Sequence, residues 1–235
     1  MNDIGRRSIA VGPLCLLTDP ILYLPFGQRE VESRMPLSLP LIMGVIEEAT
    51  AAGLLFLQYR GKNATRYVMF ETAQKIQDYT RQHHITLIIN DQIDLAMAVG
   101  ADGVHLGQDD LPISIARTLL GSKKIIGVST HTLDEARQAQ SDGANYIGFG
   151  PIFRTETKAA SLCPVGVEAI RKIKQEVSLP LYAIGGVTTR HLVSIRLAGA
   201  DGVAVISGVA GAVGRNITKW LSCWSEGAAS DVGHL

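Results

Sequence analysis

The chain has 235 residues, 46% of them hydrophobic and 19% charged, which suits a globular protein of a size that α/β barrels use as one domain. Lys plus Arg and Asp plus Glu both number 22, so the formal net charge is zero and the basic excess of a nonspecific nucleic-acid or anionic-membrane binder is missing. No run reaches the length of a membrane-spanning helix, the N-terminus lacks a signal peptide's apolar core, and three scattered cysteines (Cys15, Cys163, Cys223) suggest neither a disulfide framework nor a zinc site; a reducing cytoplasm is expected.

Residues 1–13 read as an N-terminal extension. Leu14 to Thr18 is a first strand, closed by Asp19-Pro20. The stretch from Pro20 to Pro40 carries four prolines and no clear period, far above the roughly 4–6 residues of an ordinary connection, so it is read as a functional loop. A helix from Leu41 to Ala52 ends at Gly53. Leu54 to Lys62, L-L-F-L-Q-Y-R-G-K, begins as a doubly buried strand and ends in Gln58, Arg60 and Lys62. Gln58 and Arg60 share a face, because residues two apart on a strand do. Two cations at a strand mouth are either solvated charges or the makings of an anion site.

Thr65 to His83 has helical spacing, with Tyr67, Phe70, Ala73, Ile76 and Tyr79 expected on one side. The pattern then alternates: strand Thr86–Asn90, helix Ile93–Val99, strand Gly103–Gly107, and a helix to Leu120 with Pro112 in its first turn. Strand Lys124–Ser129 and helix Leu133–Ser141 follow, then strand Tyr146–Pro151 and helix Val167–Val177. The series closes with strand Leu181–Gly186, helix Thr189–Ala198, strand Gly202–Ser207 and a last helix over Ala212–Trp224. The polar tail 225–235 is expected to fray.

Eight buried strands alternating with eight helices predict a closed parallel (β/α)8 barrel over residues 14–224, a single-domain TIM barrel, in preference to a doubly wound open sheet. A recurring phrase supports the count: A-G-L at 52–54, G-A-D-G at 100–103, G-A-N-Y at 143–146 and G-A-D-G at 199–202. Each reads as a tight helix-to-strand turn entering an even strand.

In such barrels the chemistry sits at the C-terminal strand ends, and here those ends are polar. Asp91 and Asp110 fit a Mg²⁺–phosphate bridge, or each caps the helix that follows. His105 faces inward with Gly103 and Gly107, leaving room for a ring-sized ligand; a satisfied core histidine is the plainer reading. I-G-G-V-T at 184–188 and V-I-S-G-V at 205–209 place glycine backbone where barrels often hold phosphate. One anion site is thus cationic, with Arg60, Lys62 and Lys158, and the other is built of backbone.

With the motifs Q-Y-R-G-K (58–62), I-N-D (89–91), H-L-G-Q-D-D (105–110), G-V-S-T-H-T (127–132), G-P-I-F-R-T-E-T-K (150–158), I-G-G-V (184–187) and V-I-S-G (205–208), the chain resembles the thiamine-phosphate synthase family from about Leu14 to Ala212. The resemblance implies a transferase that couples 4-amino-5-hydroxymethyl-2-methylpyrimidine pyrophosphate to a thiazole phosphate and releases pyrophosphate. It implies that Arg60, Lys62, Asn90 and Lys158 hold the pyrophosphate, Asp91 and Asp110 hold Mg²⁺, and Gln58, His105 and Ser129 surround the pyrimidine. Thr155, Thr157, Gly186, Ile206 and Ser207 hold the thiazole phosphate in that reading, and Arg60, Lys62, Lys158 and Ser129 carry the catalytic roles. The chain departs from the family in its long 20–40 loop, read as a lid or a homo-oligomer contact, and in A-A-S-L-C-P at 159–164. A thiazole tautomerase of the same superfamily would not need Arg60, Lys62, Asp91 and Asp110, and a phosphate-sensing barrel leaves the two carboxylates unexplained.

Overall fold

The computed structural model describes residues 12–19, 38–61, 64–155 and 163–229. Eight parallel strands close into one barrel in sequence order. They are β1 (Leu14–Leu17), β2 (Phe56–Tyr59), β3 (Thr86–Asn90), β4 (Gly103–Leu106), β5 (Ile125–Thr130), β6 (Tyr146–Phe149), β7 (Leu181–Ile184) and β8 (Gly202–Val205). Strand β1 pairs with β8 through Leu14 and Val203, which seals the cylinder.

The helices are α1 (Leu39–Ala51), α2 (Arg66–Gln82), α3 (Ile93–Val99), α4 (Ile113–Leu120), α5 (Leu133–Ser141), α6 (Glu168–Glu176), α7 (Leu192–Leu197) and α8 (Val213–Ala229). A 3₁₀ turn over Thr189–His191 occupies the first turn expected of the seventh helix. Among the described residues no helix is long and apolar enough to cross a membrane.

Two cores follow from strand alternation. Outward residues such as Leu16, Leu57, Leu87, Val104, Ile126 and Ile147 pack under the helices. Inward residues Cys15, Leu17, Phe56, Ile88, Tyr146, Tyr182, Ala204 and Ile206 fill the barrel. Three of these rings meet edge to face, with centroids 5.3–5.7 Å apart for Phe56, Tyr146 and Tyr182. They plug the barrel, so whatever binds there enters from the other end.

The repeated G-A-D/N phrase has a structural meaning beyond a turn. Asp102, Asn145 and Asp201 each precede an even strand and reach back to the odd strand before it. Their side-chain oxygens accept from Leu87 N (2.8 Å), Ile126 N (2.9 Å) and Leu181 N (2.9 Å). Their own backbone N–H groups donate to the carbonyl oxygens of the same three residues. Gly100, Gly143 and Gly199 turn the chain at φ of 70°, 86° and 99°, where a side chain is strained.

Some expectations shift. The second strand is shorter than 54–60, and Leu55 is 49% exposed. Helix α2 faces the barrel with Met69, Thr72, Ala73, Ile76, Gln77 and Thr80, leaving Tyr67 and Phe70 outside. Polar residues can sit inward here because they are bonded: Gln77 Nε2 donates to Gly100 O and Thr80 Oγ1 to Gln77 O. Tyr67 in turn bonds Glu71 on the surface. Helix α8 continues to Ala229, past the Trp224 end expected, because adding residues such as Glu226, Ala228 and Ala229 to an existing turn costs little. Residues 1–11, 20–37 and 230–235 lie outside the described residues, and with them most of the 20–40 loop and the end of the tail.

Candidate active site

The site grows out of lateral register. His105 on β4 pairs with Gly127 on β5, which pairs with Tyr146 on β6. Having no side chain, Gly127 leaves a gap through which phenol and imidazole meet: a Cβ there would lie 2.1 Å from Tyr146 Cζ. Gly148 makes the matching space for the imidazole, since its Cβ would come within 3.1 Å of His105 Cε1. His105 Nδ1 lies 2.9 Å from Tyr146 Oη, and Nε2 lies 2.9 Å from Ser129 Oγ. These groups line a pocket of about 350 Å³, open mouth included, with Cys15, Leu17, Tyr182, Ile184 and Ala204 as its apolar walls. Inward-facing His105 was expected; Tyr146, at the foot of its strand, was not.

The pocket is uncharged where it is deep. Burial pushes the Cys15 thiol and the Tyr146 and Tyr182 phenols well above their ordinary pKa ranges. Gln58 and Asn90 are 3% and 5% exposed, and each has a buried side-chain carbonyl oxygen without a protein partner. Such oxygens carry a desolvation penalty until something donates to them.

Above this floor sits the charge. Arg60 is 5% exposed; its Nη1 donates to Asp19 Oδ2 at 2.7 Å and its backbone N–H to Thr18 Oγ1 at 2.9 Å. Burial disfavours the charged guanidinium, while the negative fields of Asp19 and Asp91 favour it. Asp19 went unread in the sequence because Asp-Pro looks like an ordinary strand-closing turn.

Asp91 ends β3 in the left-handed region at φ 64°, is exposed, and donates its N–H to His105 O at 2.8 Å. Neither predicted carboxylate is a helix N-cap: those positions belong to Gln92 and Pro112. Asp110 instead closes its own loop, its Oδ2 accepting from Gly107 N at 2.6 Å. Two oxygen-only carboxylates in mouth loops, neither spent on capping, suit a hard cation such as Mg²⁺ that takes one or two carboxylates and completes its shell with phosphate and water.

On the opposite side, Gly186 has φ 62°, and a Cβ there would lie 2.3 Å from Arg154 O, so the loops after β6 and β7 pack backbone to backbone. Thr155 follows on that loop. Ile206 and Ser207 lead into a 3₁₀ turn, Ser207–Val209, which Trp220 of α8 supports from behind, its ring 2.8 Å from where a Gly208 Cβ would be. Lys62, Thr157 and Lys158 lie outside the described residues.

Comparison with known proteins gives the family and the fold. Residues 40–209 match the family model described as Thiamine monophosphate synthase. A thiamine-phosphate synthase of Chloroflexus aurantiacus is 49% identical over 168 residues, 72% of this chain and 77% of that protein. Another, of Syntrophomonas wolfei, is 45% identical over 195 residues, 83% and 90% of the two chains. The solved thiamine phosphate pyrophosphorylase from Pyrococcus furiosus superposes with a TM-score of 0.76 at 33% identity, covering 91% of this chain and 96% of that one.

Proposed function

The chain belongs to the thiamine-phosphate synthase family of transferases, and from that premise we propose how its barrel mouth divides the work. The pyrimidine ring enters the uncharged pocket between Gln58, His105 and Ser129. Its pyrophosphate lies at the rim against Arg60 and Asn90, with Lys62 and Lys158 as further cations. The thiazole phosphate rests on Thr155, Thr157, Gly186, Ile206 and Ser207. The observation that carries this reading is the vertical split: a buried guanidinium stands above a neutral, ring-sized pocket that offers the unpartnered amide oxygen of Gln58.

No nucleophile–base pair is required. When the C–O bond to pyrophosphate breaks, its electrons leave with the pyrophosphate, and the pyrimidine amino group stabilises the cation at the methylene carbon. The thiazole nitrogen then donates its lone pair to that carbon. Arg60, Lys62 and Lys158 act on the leaving group, where charge develops, and apolar walls keep water from the carbon. Asp91 and Asp110 would hold Mg²⁺, which would supply further neutralisation of the leaving group.

The test is direct detection of thiamine phosphate from both substrates with Mg²⁺, in wild type and Asp91→Asn. Turnover should fall by orders of magnitude in the variant while the fold persists. Near-normal turnover with unchanged Mg²⁺ dependence would remove Asp91 from the metal site.

A further inference from the structure

Tyr146 belongs to none of the sequence motifs that carry the family resemblance, yet it joins two polar groups of the pocket. Its hydroxyl lies 2.9 Å from His105 Nδ1, and through the imidazole it reaches Ser129. A phenol has one proton to give. Among the described residues His105 Nδ1 is the hydroxyl's hydrogen-bond partner, so the buried proton goes to that nitrogen. Burial holds the phenol protonated well beyond its ordinary range, so the donor is always present. Nδ1 is thereby an acceptor, and the neutral imidazole carries its hydrogen on Nε2. That hydrogen points at Ser129 Oγ, 2.9 Å away, which turns the serine proton away from the imidazole.

We infer that Tyr146 is a positioning residue: through Tyr146 O–H and His105 Nε2–H, one directed chain fixes the His105 tautomer and sets the polarity of the pocket. Gln58 presents a bare carbonyl oxygen to the pocket, and at the end of the chain Ser129 presents a hydroxyl proton. One acceptor and one donor read a neutral heterocycle that carries an exocyclic amino group together with a ring nitrogen lone pair. An oxo heterocycle would set oxygen against the Gln58 oxygen. This last step rests on the pyrimidine reading above; the tautomer does not. The sterics support a single arrangement, because Gly127 and Gly148 leave space that the phenol and the imidazole fill. Freedom to re-aim either ring is correspondingly small.

The experiment is two-dimensional ¹⁵N–¹H long-range NMR of the ligand-free protein labelled in histidine, with His105→Gln assigning the signal. The expected pattern is an unprotonated Nδ1 and a protonated Nε2, lost to a tautomer mixture in Tyr146→Phe. A protonated Nδ1 in wild type would overturn the inference, since the phenol would then be the acceptor and the chain would run the other way. So would a Tyr146→Phe spectrum with the tautomer unchanged. The second arm measures binding of 4-amino- and 4-oxo-pyrimidine pyrophosphates, with the amino form favoured by about ten- to hundredfold in wild type and by less in Tyr146→Phe. If the tautomer is as stated and neither compound binds, the pyrimidine reading fails and the relay stands.

Discussion

Replacing Asp19 by Asn removes the anion that Arg60 holds when no ligand is bound. The pair is well buried, with side chains 6% and 14% exposed and Nη1 to Oδ2 at 2.7 Å. Truncating one partner of a buried pair costs roughly 3–5 kcal/mol, because the other charge is left uncompensated. Two features reduce that here: Asp91 also attracts the guanidinium, and asparagine keeps an acceptor oxygen. A loss of about 2 kcal/mol is therefore expected, read as a lower urea midpoint with an unchanged slope. Pyrophosphate binding should move the opposite way. One charge repelling the ligand is gone, worth on the order of 1–2 kcal/mol at an effective dielectric near 20, or about tenfold in affinity by calorimetry. A variant that loses stability yet binds pyrophosphate no more tightly would refute the reasoning. Arg60 would then be a structural cation serving Asp19 alone.

Alkali and overpacking give two further outcomes. Burial raises the Tyr59 phenol to about 12 and those of Tyr146 and Tyr182 well above their usual range, so each is held neutral by the fold. Stability is complete below the unfolded value near 10 and is lost as pH climbs toward the folded values, by about 4 kcal/mol in total at about pH 11. Tyrosinate absorbance from these three rings that rises without unfolding would contradict this. Gly127→Ala should destabilise by roughly 1–3 kcal/mol or more in urea titration, because the new Cβ would start 2.1 Å from Tyr146 Cζ in a ring cluster that cannot retreat. Wild-type stability in that variant would mean the cluster is loosely packed.

The barrel was legible because its signals are local. Alternation along a strand put Gln58 and His105 inside without reference to any other strand, and the G-A-D/N phrase marked where even strands begin. What escaped depends on relations between elements. Parity says that Tyr146 faces inward, but only the stagger between β4, β5 and β6 brings it beside His105. A signal was present, in that two inward positions around it, Gly127 and Gly148, hold glycine against the rings of Tyr146 and His105. Asp19 was hidden for the same reason, since its partner is 41 residues away in another strand end. On α2 the hydrophobic period misled, because hydrogen-bonded Gln77 and Thr80 can be buried while Tyr67 and Phe70 stay exposed.

The backward-reaching Asp102, Asn145 and Asp201 also say something about the order in which the chain assembles. Each clips its own strand to one only 15 to 20 residues earlier, so the loop that must close is short and its entropic cost small. Strands β3 with β4, β5 with β6, and β7 with β8 are thus three local modules. Each can zip up before the rest of the barrel exists. The seam between Leu14 and Val203 has no such advantage, for it joins opposite ends of the fold and gains nothing until the modules already stand side by side. Arg60 meets Asp19 and Thr18 next to that seam. The cationic rim is accordingly placed to sense the seam opening, whereas the Tyr146–His105 floor bridges the β3–β4 and β5–β6 modules and is made when those two dock.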